Sequence, residues 1–151
     1  MDVKIINAVL KNMTKVFADA ANVEVQLQKP SITRQLAQGY DILTIIGFNG
    51  SFEGNLIYAL HRPLTLLIVS QMTNMDYDQV DDLALSAIGE LANMVSGHIA
   101  VNLETIGKPI SITPPSVVVG KEIKVNVDGL ILKVPATIHD LAFEVNMVIR
   151  E

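Results

Sequence analysis

Three polar residues at helical spacing, Ser86, Glu90 and Asn93, have the types and separation that could do chemistry. They lie in Ser86-Ala-Ile-Gly-Glu-Leu-Ala-Asn-Met-Val-Ser-Gly97, inside a long helix-forming stretch. Spacings of four and then three residues stack side chains on one face of a helix. A carboxylate pairs with cations. A carboxamide accepts a hydrogen bond through its oxygen and donates through its nitrogen, so it can orient a water without being a strong base. Leu83, Ala84, Ala87, Ile88, Leu91, Met94 and Val95 surround the stripe. An acid and an amide in such company have two explanations. Either they face outward on a docking surface, or they are buried and satisfied by neighbouring backbone groups in a purely structural subunit. Solvent exposure of both tips separates the cases.

The helix that must carry the stripe is expected from about Gln79 to Glu104. Asp78, Asp81 and Asp82 crowd its start, where carboxylates complement exposed N–H groups and the positive end of the dipole. Gly107 and Pro109 stop it. Gly89 and Gly97 each cost about 1 kcal/mol relative to alanine in a helix interior. That cost points to close approach of something to this helix, or to a local kink near Gly97.

The remaining elements follow from periodicity. Val3, Ile6, Val9, Leu10, Met13, Val16 and Phe17 recur at helical spacing, predicting an amphipathic first helix from Asp2 to about Ala21. Val23, Val25 and Leu27 alternate with Glu24 and Gln26, as in a short strand with one buried face. Ser31 to Tyr40 reads as a loop or a sheet edge. Asp41 to Phe48 and Asn55 to Leu60 are predicted to pair antiparallel, with the reversal at Asn49-Gly50 or at residues 51–54. Pro63 fits the first turn of a helix running to about Met72, because its missing N–H has no partner there in any case. Asn74 to Asp78 breaks the pattern.

After Pro114-Pro115 come β-rich runs at Val117 to Val119, Glu122 to Val127 and Leu130 to Val134. Asp128-Gly129 between the last two is a hairpin signal. The final run places Leu141, Phe143, Val145, Met147 and Ile149 on one side and Glu144, Asn146 and Arg150 on the other, predicting a strand covered on one face. This order implies the α+β class, an antiparallel or mixed β-sheet packed with α-helices, with residues 1–151 as a single domain.

Composition excludes several functions. Half of the 151 residues are hydrophobic and only 18% are charged, enough for a substantial core with apolar surface left for a subunit contact. A net charge of -5, without a basic run or aromatic cluster, argues against nucleic acid. The absence of cysteine removes disulfides, zinc thiolate sites and a thiol nucleophile together, and is compatible with the cytoplasm. The first residues lack the pattern of a signal peptide, and Leu66-Leu-Ile-Val69 is far too short to span a bilayer. A soluble, cytoplasmic protein without membrane insertion is expected. His61, His98 and His139 are isolated, and their expected role is structural or merely solvated. The acidic cluster Asp76, Asp78, Asp81 and Asp82 lacks the loop glycine and terminal glutamate of a calcium hand, so no metal site is expected there. No Gly-rich phosphate loop and no Gly-x-Ser-x-Gly elbow occur.

The stripe in context is Ser86-x-x-x-Glu90-x-x-Asn93, with Gly89 before the acid and Met94-Val95 after the amide. It resembles the signature of the CheX/CheC/FliY phosphatases of bacterial chemotaxis. The amphipathic first helix, the Gly47 to Leu60 hairpin, the Pro114-Pro115 turn and the closing strands follow a CheX-like order over nearly the whole chain. One complete stripe is similar to CheX rather than to the two-site relatives. One departure is visible: the family pattern places a proline where Ser116 stands, and Pro115 and Pro114 come one and two places early, which implies a shortened loop.

The resemblance implies a CheC/CheX-like fold and a protein phosphatase that hydrolyses the aspartyl phosphate of a phosphorylated CheY-like response regulator. It implies that Asn93 orients the attacking water and that Glu90 anchors the receiver by pairing with its active-site lysine. Ser86 would lie at the edge of the contact, and Gly89 and Gly97 within the partner-binding surface. This chain would bind no cofactor, and Mg²⁺ would sit on the phosphorylated receiver. A homodimer is also implied, with β-rich termini extending a sheet across a two-fold axis. The alternative is a non-catalytic CheX-like module that binds a receiver or a flagellar component.

Overall fold

The protein is described as a computed structural model covering residues 1–36 and 38–150. Asp2 accepts the Lys4 N–H at 2.8 Å and caps α1 (Val3–Ala21), which ends where Asn22 turns left-handed at φ 51°. Then follow β1 (Gln26–Leu27), β2 (Ser31–Thr33), β3 (Tyr40–Gly50), β4 (Gly54–Leu60), α2 (Arg62–Thr73), α3 (Asp82–Thr105), β5 (Ile110–Ile112), β6 (Ser116–Ile123), β7 (Leu130–Ile138) and β8 (Leu141–Ile149). The strands form one sheet in the order β1-β7-β8-β4-β3-β5, with β2 also on β7 and β6 also on β3. Its pairings are antiparallel, so of the two sheet types left open by the sequence the antiparallel one is adopted.

The three helices cover one face. Ile42, Ile46 and Phe48 of β3, Leu56 and Tyr58 of β4, and Phe143, Val145 and Met147 of β8 form one core with Val9, Met13 and Phe17 of α1 and Ile88, Leu91, Val95 and Ile99 of α3. Each such large side chain contributes about 1.5–3 kcal/mol through burial. On the opposite face Leu43, Ile57, Ala59, Ile131 and Val148 form a smaller cluster, against which Leu36, Tyr40, Ile45, Ile123, Val125 and Val127 pack.

Several expectations change at this level. The β3–β4 reversal falls over residues 51–53, while Asn49 and Gly50 pair with Ser111 and Ile110 of β5. Gly50 serves that approach: at φ 136°, a Cβ on it would lie 2.6 Å from the Pro109 carbonyl oxygen. Asp128-Gly129 does not close a hairpin between its flanking runs. β7 is occupied by β8 on one side and by β1 and β2 on the other, and β6 pairs with β3. Residues 124–128 are not strand, and Val125 and Val127 lie against the second cluster instead. The hairpin that forms is β7–β8, turned by His139 and Asp140, both at positive φ.

The final strand is covered on both faces, because Glu144 and Asn146 are 3% and 1% exposed. β8 lies between β7 and β4, so the C-terminal strand offers no edge from which a sheet could continue into a second copy.

Candidate active site

The stripe belongs to α3, which begins three residues later than expected. Asp81 is its cap, accepting the Ala84 N–H at 2.9 Å, and Asp82 stands in the first turn. Ala84, Ile88, Leu91, Ala92, Val95, Ile99 and Leu103 turn inward and fix which side of the helix meets the sheet. Ser86 and Glu90 consequently face solvent, and Asn93 and Gly97 are half-buried beside them. The side chains of Glu90 and Asn93 make no hydrogen bond or ion pair with any described residue. The explanation in which both tips are buried and internally satisfied is thereby removed. Leu83 and Val101 are each 59% exposed and Met94 36%, so apolar surface flanks the acid and the amide. An unpaired acid and amide on an apolar-edged helix can receive another molecule's donors and acceptors.

The first strand after the Pro-Pro turn runs beside this helix. Asp82, Leu85, Ser86, Gly89 and Glu90 line an open groove with Pro115 and Val117. Pro115 thus stands at the site although the family's proline position holds Ser116. The two helix glycines differ. Gly89 is buried, and a Cβ there would lie 3.2 Å from Cγ2 of Val117, so close approach at this position is made by the chain itself. A Cβ on Gly97 would meet nothing within 4 Å.

Beneath the stripe, two residues that sequence reasoning missed join α3 to the sheet. The hydroxyls of Tyr58 on β4 and Ser96 on α3 are hydrogen-bonded at 2.7 Å, both buried. Burial pushes the Tyr58 phenol's pKa well above its usual value, and the Ser96 bond opposes this in part. The available signal was a tyrosine in an otherwise aliphatic inward row, Leu56, Tyr58 and Leu60, and a serine on the apolar side of α3.

The other singled-out groups lie elsewhere. All three histidines are exposed, and His61 stacks on Tyr40 and approaches Asp41 at 3.4 Å. Among the described residues no three histidine or acidic side chains converge as metal ligands would, and no helix is long and apolar enough to cross a membrane.

The antiparallel sheet with three helices on one face is the fold of a CheC-like superfamily protein from Shewanella sp. PV-4, with TM-score 0.91, 27% identity and full coverage of both chains. Residues 42–138 match the family model of chemotaxis phosphatase CheX. A CheY-P phosphatase CheX of Thermotoga maritima is 41% identical over 139 residues, 91% of this chain and 90% of that one. The chain belongs to the CheX family. It is also similar to a CheX crystallised with CheY, BeF3 and Mg²⁺ from Borrelia burgdorferi, at TM-score 0.84 and 28% identity over 97% of each chain.

Proposed function

We propose that this chain is a protein phosphatase that hydrolyses the aspartyl phosphate of a phosphorylated CheY-like response regulator, with Asn93 orienting the attacking water and Glu90 anchoring the receiver. The observation that carries the reading is the pairing of solvent access with lack of partners: an exposed acid and a half-buried amide stand on one face of a rigid helix, and their side chains bond to no described residue. Family membership supplies the substrate class.

The chemistry asks little of this chain beyond position. Water attacks phosphorus in line, the bond from phosphorus to the receiver's carboxylate oxygen breaks, and the products are inorganic phosphate and free aspartate. The Asn93 carbonyl oxygen accepts a hydrogen bond from that water and its amide donates one, holding the nucleophile on the line of attack. The Glu90 carboxylate, one turn away, pairs with the receiver's active-site lysine and keeps the two proteins in register. Ser86 lies at the rim. Gly97, with open space where a side chain would be, admits the receiver's surface, and Gly89 keeps Val117 close to the helix. The Mg²⁺ of the reaction belongs to the receiver in this reading.

The same reading takes the chain as a cytoplasmic homodimer. Val118 and Val119 of β6 are 41% and 39% exposed on a strand whose described pairing is with β3 alone, which makes this edge the natural place for a second copy. Light scattering that gives only monomer at micromolar concentration would remove the dimer.

The test of activity is the decay of acyl phosphate on a panel of phosphorylated receivers, with and without the protein. Accelerated phosphate release by the wild type and its loss in Asn93→Ala are expected. Binding of a phosphorylated receiver without any acceleration would identify a non-catalytic module instead.

A further inference from the structure

The apolar residues of α3 fix which side of it meets the sheet, but burial is non-directional and leaves the last degrees of rotation about the helix axis less sharply set. A hydrogen bond demands distance and angle together. Side-chain hydrogen bonds tie α3 to the rest of the chain at Ser96, held by Tyr58 of the sheet at 2.7 Å, and at Asn102 toward its C-terminal end, whose Oδ1 accepts from Asn12 Nδ2 of α1 at 2.6 Å. Ser96 is three residues beyond Asn93, less than one turn along and about 60° round the axis. The tie to the sheet is thus also the one beside the amide.

Packing around the Tyr58 ring does not do this job alone. Thr44 lies directly opposite Tyr58 on β3, fully buried, and its hydroxyl has no partner among the described residues. Thr44, Tyr58 and Leu60 line a small cavity with Phe17 of α1 and Ile88, Leu91 and Ala92 of α3. That cavity, about 10 Å³, leaves the ring room for a small shift once the hydroxyl bond is lost.

We propose that Tyr58 is a positioning residue: its hydrogen bond to Ser96 sets the rotation of α3 and thereby the direction in which Asn93 presents its amide. Side-chain tips lie about 5–6 Å from a helix axis, so a rotation of about 10° displaces them by about 1 Å. Displacement of that size is enough to lower a positioned reaction by up to about a hundredfold. The catalytic meaning of the displacement rests on the phosphatase reading above, whereas the rotation itself does not.

The experiment compares wild type, Tyr58→Phe and the double variant Tyr58→Phe/Ser96→Ala. It follows turnover of a phosphorylated receiver, affinity for the same receiver carrying BeF3 and Mg²⁺, thermal midpoint, and the position of Asn93 in crystals. Tyr58→Phe is expected to lower kcat about tenfold to a hundredfold, to lower affinity by less than kcat because the flexible Glu90 side chain re-forms its ion pair after a small shift, and to move the Asn93 amide by about 1 Å. The double variant removes the orphaned Ser96 hydroxyl, so its thermal midpoint recovers while kcat stays low. Unchanged kcat in Tyr58→Phe, recovery of kcat in step with the midpoint, or superimposable Asn93 positions would each overturn the proposal. A wild type inactive on all receivers defeats the phosphatase reading instead, and the crystallographic comparison then decides the role of Tyr58.

Discussion

Two regions of this molecule set a glutamate and an asparagine side by side, and they use them oppositely. On α3 the pair is Glu90 and Asn93, at the helical interval, reaching solvent, with side chains bonded to no described residue. On β8 the pair is Glu144 and Asn146, at the strand interval, on the sheet face turned away from the helices. There Glu144 accepts from the Tyr40 hydroxyl at 2.9 Å and from Asn146 Nδ2 at 2.9 Å, with Lys133 Nζ at 3.9 Å. The same two residue types make a structural knot where Asn146 Nδ2 bonds Glu144, although the buried Asn146 Oδ1 has no partner among the described residues, and a site where neither side chain bonds a described residue. Residue type alone says little, and unspent hydrogen-bonding capacity at the surface says more.

Breaking each pair separates the roles. Glu144→Ala has the largest expected effect: it strips a buried network of its charge and leaves Tyr40, Asn146 and Lys133 unpaired, at a cost of about 3 kcal/mol or more. A fall of about 6–12 °C in the melting temperature by calorimetry is the check, with receiver affinity retained in the folded fraction. Asn93→Ala is next, lowering phosphatase turnover about a hundredfold while the melting curve stays in place. Glu90→Ala is expected to weaken receiver binding about tenfold by titration calorimetry and activity with it; unchanged affinity would contradict its anchoring role.

The smaller tests sharpen the contrast. Gly97→Ala meets open space within the chain, so it should raise stability by about 0.8–1 kcal/mol through helix propensity while lowering receiver affinity. Improved stability with unaltered binding would place the receiver elsewhere. The buried knot should also register at alkaline pH. Burial, and then the neighbouring Glu144 charge, raise the Tyr40 phenol above its usual pKa. The folded chain therefore keeps a proton that the unfolded chain releases above about pH 10. The stabilising contribution is complete below that pH and is lost as pH rises toward the folded value, so Tyr40→Phe should flatten the alkaline decline in melting temperature. An unchanged slope would detach Tyr40 from the knot.

The site was more legible in the sequence than the sheet that supports it. Helical spacing put Ser86, Glu90 and Asn93 on one stripe, and capping by Asp81 and the amphipathic run of α1 are local effects that local residues announce. What the sequence left hidden was non-local. Asp128-Gly129 carries hairpin chemistry, but a turn needs two free strand edges, and those of β7 go to β8, β1 and β2. Polar Glu144 and Asn146 read as the open side of a strand covered on one face, yet that side is covered too, by Tyr40 and by Ile123, Val125 and Val127 packing beside it. Tyr58 and Ser96 looked like ordinary members of apolar faces until β4 and α3 were brought together.

To act as proposed, Glu90 and Asn93 must enter the reaction centre of a bound receiver. A crystal structure of this chain with a receiver carrying Mg²⁺ and BeF3 measures that directly. The Asn93 amide is expected within one water of the phosphoryl analogue, and the Glu90 carboxylate on the receiver's active-site lysine. A complex docked through any other surface, with both tips still in solvent, would contradict it.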